Sequence, residues 1–145
     1  MKRFVVLLIS IALAAFAAGC QKAPTAMDTP PPTSSASAVT DISPGDALPK
    51  TQLAYAQFVD VRTEAEYKAG HADRAINIPL ETLEQNLDRI EKNEPVYVIC
   101  ETGRRSKEAS DILATKGYRM VYNVTGGMSE WRSKGLPMAK PAEAK

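Results

Sequence analysis

The chain has 145 residues, with 18 basic against 17 acidic side chains and a formal charge of +1. So even a balance excludes the basic stripe of a nucleic-acid footprint, and no such partner is expected. The two cysteines stand in unlike contexts, Cys20 ending an apolar leader and Cys100 ending a core strand, so no bridge between them is expected. Met1 to Gly19 opens with Lys2 and Arg3, runs apolar from Phe4 to about Ala18 and closes in small residues. That is the pattern of a secretory signal peptide over residues 1–19, and it is short for a membrane span of about 20 residues. Its removal leaves 16 basic against 17 acidic residues, a formal charge of −1. Residues 20–38 are rich in Pro, Thr, Ser and Ala, include Pro30-Pro31-Pro32 and show no periodicity. They cannot bury enough surface to offset ordering, which predicts a disordered tether. The globular domain is expected over residues 39–138, roughly 100 residues and enough for one hydrophobic core. Residues 139–145 form a tail.

Within the domain, strands and helices alternate. Val39 to Ile42 reads as a short strand, and Ser43-Pro44 as an N-cap with proline in the first turn of a brief helix to about Leu48. Phe58 to Val61 is a second strand. Thr63 and Glu66 fit a capping box, predicting a helix over 64–69 that stops at Gly70. Ala75 to Ile78 is a third strand, closed by Pro79. Thr82 and Gln85 form another capping-box pattern, predicting an amphipathic helix to about Glu91 with Leu83, Leu87 and Ile90 on one face. Val96 to Ile99 is a buried fourth strand. Ser106 to Lys116 is a helix with Ala109, Ile112 and Leu113 inward, ended by Gly117. Met120 to Val124 is a fifth strand, Gly126-Gly127 a tight turn, and Met128 to about Ser133 a last helix. The alternation predicts an α/β fold, with helices layered around a mostly parallel sheet of about five strands. Such sheets bind ligands outside the carboxyl ends of their strands, where Cys100 stands.

The stretch from Val96 to Ser106 carries the chemistry. A strand that ends in a cysteine and turns straight into a helix sets the sulfur over the helix N-terminus. Unpaired N–H groups and the positive end of the dipole there favour thiolate over thiol. Arg104 and Arg105 push the same way and are suited to gripping an anion. Arg105 at a helix start opposes the dipole, so its presence wants a reason. Glu101 is a carboxylate beside the sulfur and works against its ionisation. A cysteine phosphatase loop resembles C-x5-R, but here that arginine position is Ser106, so the loop is one residue too short. The tighter space suits a sulfur carried on Cys100.

Cys100-Glu101-Thr102-Gly103-Arg104-Arg105-Ser106 resembles the active loop of the rhodanese family, C-x-x-G-x-R-S/T. Upstream, Asp60-Val61-Arg62, Glu66-Tyr67, Gly70-His71, Ala75 and Asn77-Ile78-Pro79 resemble the family's D-V-R…E-Y…G-H…A-x-N-I-P signature. Downstream, Gly126-Gly127 and Trp131 resemble its closing G-G…W. The resemblance implies the rhodanese-like three-layer fold and a sulfurtransferase in which Cys100 is the nucleophile. It takes sulfur from thiosulfate or a similar small donor as a persulfide and gives it to cyanide or a thiol. Arg105 matches the loop arginine and takes the sulfonate-binding role. Arg104, Glu101, Thr102, Gly103 and Ser106 complete the substrate loop, their N–H groups cradling the persulfide. Asp60 and Arg62 are expected as an ion pair that steadies the loop, and His71 as a structural histidine. No metal or organic cofactor is implied.

Ala17-Ala18-Gly19-Cys20 resembles the bacterial lipoprotein processing box, with Ala17 where a large aliphatic residue is usual. This implies lipidation of Cys20 and a domain tethered to a bacterial membrane on its periplasmic or other extracytoplasmic side. Ordinary cleavage at a small-x-small site is the alternative. A lone thiolate in an oxidising envelope calls for a thiol reductant partner. Two other functions compete, a non-catalytic binding or sensing module of the envelope and a phosphatase or arsenate reductase on the same scaffold.

Overall fold

The computed structural model describes residues 39–139. The expected signal peptide and linker, Cys20 and residues 140–145 of the expected tail lie outside the described residues.

Five strands, β1 (Thr40–Ile42), β2 (Gln57–Asp60), β3 (Ile76–Asn77), β4 (Val96–Ile99) and β5 (Val121–Val124), form one sheet in the order β1-β5-β4-β2-β3. Every strand pair is parallel, and helices flank the sheet as the alternation predicts. The side-chain period of a strand explains the layering. Val59, Val96 and Val98 face one way, onto Ala109 and Leu113 of the helix α3 (Arg104–Thr115) and onto Leu83 and Ile90. Phe58, Tyr97 and Ile99 face the other way, onto Ala47, Met128 and Trp131. These last belong to α1 (Pro44–Thr51) and α4 (Gly127–Ser133). The remaining helix, α2 (Glu64–Ala69), is closed by the predicted capping box, Thr63 accepting from the Glu66 N–H and Glu66 accepting from the Thr63 N–H. Trp131 is fully buried, its ring 5.4 Å from that of Phe58 and its Nε1 donating to the Pro137 carbonyl at 3.0 Å.

The strand order places the site. After β2 the chain turns outward to β3, and after β4 it turns the opposite way to β5. The crevice between β2 and β4 is therefore the switch point of the sheet, the place where ligands gather in parallel α/β folds. Asp60-Val61-Arg62 leaves β2 there, and Cys100 leaves β4 there.

Two sequence readings need correction. The amphipathic helix expected from Thr82 to Glu91 is instead two short 3-10 turns, Leu80–Gln85 and Leu87–Arg89. Thr82 makes no cap; its hydroxyl donates to the Pro79 carbonyl at 3.2 Å. Tertiary partners take the groups an α-helix would use. The carbonyls of Leu87 and Ile90 accept from the Tyr118 hydroxyl at 2.8 and 3.0 Å, and the Gln57 side chain holds both backbone groups of Glu91. Second, α3 begins at Arg104 and not at Ser106. Its N-cap is Gly103, in the left-handed region at φ 95°, so backbone geometry starts this helix without a side-chain cap.

Candidate active site

Cys100 follows the central strand and is fully buried, with its side chain on the α3 face of the sheet. The Gly103 N–H donates to its Sγ at 3.1 Å. The first helical bond of α3 runs from the Lys107 N–H to the Gly103 carbonyl at 3.1 Å. The N–H groups of Arg104, Arg105 and Ser106 therefore have no intrahelical acceptor, the ordinary condition of a first turn. The loop over the sulfur is thus rich in donors.

The loop's shape depends on a second helix start. The Met128 N–H donates to the Cys100 carbonyl at 2.8 Å and the Ser129 N–H to the Glu101 carbonyl at 3.0 Å. The first turn of α4 therefore finds its acceptors on the loop. That approach needs glycine at position 127. A Cβ there would stand 2.4 Å from the Cys100 carbonyl oxygen, and φ is +56°. Gly103 is similarly confined, a Cβ meeting the Gly126 nitrogen at 3.2 Å.

The other loop residues separate by direction. Thr102 and Arg104 are exposed, and Arg104 has no carboxylate within ion-pair distance among the described residues. Ser106 is fully buried and its hydroxyl donates to Asn123 Oδ1 at 2.7 Å. It therefore anchors α3 to β5. The Glu101 carboxylate accepts from Arg62 at 3.3 Å and from Arg132. Its charge is thus drawn toward two guanidinium groups.

Arg62 is the knot of the site. It is buried, and its Nε and Nη2 reach both oxygens of Asp60 at 2.7 to 3.0 Å. Nη2 also donates to the Gly70 carbonyl at 2.8 Å. Burial opposes its charge, but the hydrogen bonds and charge of Asp60, with Glu101 and Glu66 beyond, outweigh that and raise its pKa above the ordinary value. Asn77 holds the same turn, donating to the carbonyls of Asp60 at 2.9 Å and Arg62 at 2.8 Å.

Arg105 is paired with Glu66. Its two terminal nitrogens donate to the two oxygens of Glu66 at 2.8 and 2.7 Å. This bidentate pair, helped by Thr63, holds the Glu66 carboxyl down at about 2, and it raises the Arg105 pKa in turn, with Cys100 among the more distant contributors. Glu66 is thus the reason for a cation at the start of α3. His71 stacks on Tyr67 with ring centres 3.6 Å apart, and its Nδ1 lies 2.9 Å from the Tyr67 carbonyl. A cavity of about 360 Å³ lies beside α2, lined by Glu64, Tyr67, Lys68, Asn77 and Pro79. A shallower hollow runs along α3 past Arg104, Lys107 and Asp111. Cys100 lines neither of these two. Among the described residues no cluster of His, Cys, Asp or Glu is suited to hold a metal ion.

Sequence reasoning found the Asp60–Arg62 pair and missed the partners of Arg105 and Glu101. Glu66 was assigned to a capping box, and Arg132 to nothing. The available signal was an arginine at a helix start in need of a counter-charge.

A strand end bearing a buried cysteine, a short donor-rich loop and a buried Asp–Arg corner meet at the switch point of a parallel sheet in an α/β domain. The chain matches the rhodanese-like domain family over residues 46–134 and belongs to that family. Thiosulfate sulfurtransferase GlpE of Actinobacillus pleuropneumoniae serotype 3 is 33% identical over 99 residues, 68% of this chain and 92% of that protein. The uncharacterized protein YqhL of Bacillus subtilis is 39% identical over 79 residues, 54% of this chain. The chain spans 63% of YqhL and 41% of YrkF, another B. subtilis relative. The crystal structure of a rhodanese-related protein from Thermoplasma volcanium aligns with a TM-score of 0.61 at 30% identity, covering 69% of this chain and 97% of that one.

Proposed function

We propose that the protein is a sulfurtransferase that carries sulfane sulfur as a persulfide on Cys100. The Gly103 N–H directed at Sγ, at 3.1 Å in a loop one residue too short for phosphate, is the observation that carries this reading. The name and 33% identity of GlpE support the class. The Cys100 thiolate attacks the outer sulfur of thiosulfate or a similar donor. The donor's S–S bond breaks, and sulfite leaves with the electron pair. Cys100 then carries a terminal anionic sulfur, and total charge is unchanged. An acceptor, cyanide or a thiolate, attacks that terminal sulfur and departs as thiocyanate or a persulfide, restoring the thiolate. The N–H groups from Glu101 to Ser106 hold the negative sulfur in both steps. Because Cys100 is buried, the donors are small.

The test is intact mass after exposure to thiosulfate. The wild type gains one sulfur and Cys100→Ser gains none. No adduct with any donor favours a binding module, and full sulfur transfer by the serine variant ends the proposal. The address is a separate proposal, resting on the sequence pattern before Cys20. The cysteine is lipidated and holds the domain in a bacterial envelope, where a thiol reductant keeps Cys100 reduced. Cys20→Ser should move the protein from the membrane to the soluble fraction, and unchanged membrane association would refute it.

A further inference from the structure

Most of the charged side chains around the loop are paired. Asp60 and Glu101 sit on Arg62, and Glu101 also on Arg132. Glu66 takes both donor arms of Arg105. Arg104 is the one loop-side guanidinium that has no carboxylate within ion-pair distance among the described residues. Arg62, Arg104, Arg105 and Arg132 thus exceed Asp60, Glu66 and Glu101 by a single positive charge. A doubly charged donor arriving here meets a surplus of one cation, not two.

Arg105, the second residue of α3, stands in the Cys100 loop, and in the sulfurtransferase reading it is the arginine that grips a donor's oxygens. Yet both of its forked donors are spent on Glu66, across 39 residues of sequence. Glu66 is itself fixed, because the same carboxylate closes the capping box of α2 by accepting from the Thr63 N–H at 3.0 Å and its hydroxyl at 2.9 Å. An oxyanion must therefore compete with a preorganised carboxylate for the fork, and a dianion does so against an intact negative charge beside it.

We infer that Glu66 is a specificity-determining residue that, by occupying Arg105, tunes the site toward singly charged sulfane-sulfur donors, R–SO2–S⁻ or R–S–S⁻, and away from doubly charged thiosulfate. This rests on the sulfurtransferase reading of Cys100. With R–SO2–S⁻ the thiolate attacks the outer sulfur, the S–S bond breaks, and a sulfinate leaves with the electron pair. With R–S–S⁻ the leaving group is the thiolate R–S⁻. Neither step needs a further reactant to form the persulfide.

Methanethiosulfonate and thiosulfate are the right pair of probes, since a methyl replaces one charged oxygen. Steady-state kinetics with each donor are compared for the wild type and Glu66→Gln. Glutamine keeps the capping-box residue type and removes the charge. The variant should lower KM for thiosulfate by about twofold to fivefold, the scale of one partly exposed ion pair, with much less change for methanethiosulfonate and little in kcat. An unchanged ratio of the two KM values overturns the inference. Wild-type protein gives an independent arm should the variant fail to fold. Methanesulfonate should inhibit competitively at least as well as sulfate, and clearly tighter sulfate binding overturns the inference. Absence of sulfur transfer from either donor in the wild type would instead defeat the underlying reading of Cys100.

Discussion

Arg62 and Arg105 are both carboxylate-paired and both belong to the same site, yet their surroundings assign them opposite work. The Arg62 side chain is 3% exposed, and its donors are divided among Asp60, the Gly70 carbonyl and Glu101. The Arg105 side chain is 22% exposed and has one partner, Glu66, which is 34% exposed. A guanidinium held on several sides and sealed from water has no alternative geometry. One held by a single, half-buried carboxylate can exchange that partner for another oxyanion. What separates a structural arginine from a ligand-handling one here is the number of independent partners and access to water, not the presence of a salt bridge.

The sharpest way to break the comparison is Arg62→Ala. It leaves Asp60 buried without its counter-charge and the Gly70 carbonyl without its donor. Removing one member of a buried pair costs about 3–5 kcal/mol, a large part of the stability of a domain of this size. Urea unfolding should show an unfolding free energy lowered by that amount, through a lower midpoint with the slope preserved. A loss below about 1 kcal/mol would place Arg62 beside Arg105 and erase the distinction. Stability, not donor selectivity, is the expected readout.

What was legible in the sequence follows the same division. The strand that ends in Cys100 and the glycine-containing turn after it are local, so a short apolar run and the residues that close it reveal them. The capping box at Thr63 and Glu66 is local too, and reading it alone hid the longer-range pairing of Glu66 with Arg105. The pattern at Thr82 and Gln85 shows the reverse failure. A correct local signal lost to Tyr118 and Gln57, which draw the backbone of 87–91 into bonds from across the fold. Glu101, which from the sequence alone only works against ionisation of the sulfur, has a partner that spacing does not reveal, since Arg132 reaches it over 31 residues. The start of α3 was misplaced because Gly103 caps by conformation, which carries no side-chain signature.

The smallest effect expected is also the cleanest measure of the Arg105 side of the comparison. The Glu66 carboxyl is held at about 2 in the fold, chiefly by Arg105, against its ordinary 4.5. A depressed acid stabilises the fold wherever the unfolded chain binds more protons. The contribution is therefore complete above about pH 4.5 and disappears as pH falls through that value toward about 2. Full linkage over that interval corresponds to about 3 kcal/mol, but both partners meet solvent, and screening reduces it to about 1 kcal/mol. Comparing wild type with Glu66→Gln by urea unfolding across this range cancels the other carboxylates, which titrate in both proteins. The wild type should be the more stable by about 1 kcal/mol near neutrality, and the gap should close toward pH 2. A gap that stays constant would mean that Glu66 contributes through its cap alone, and that Arg105 is already free to bind an anion.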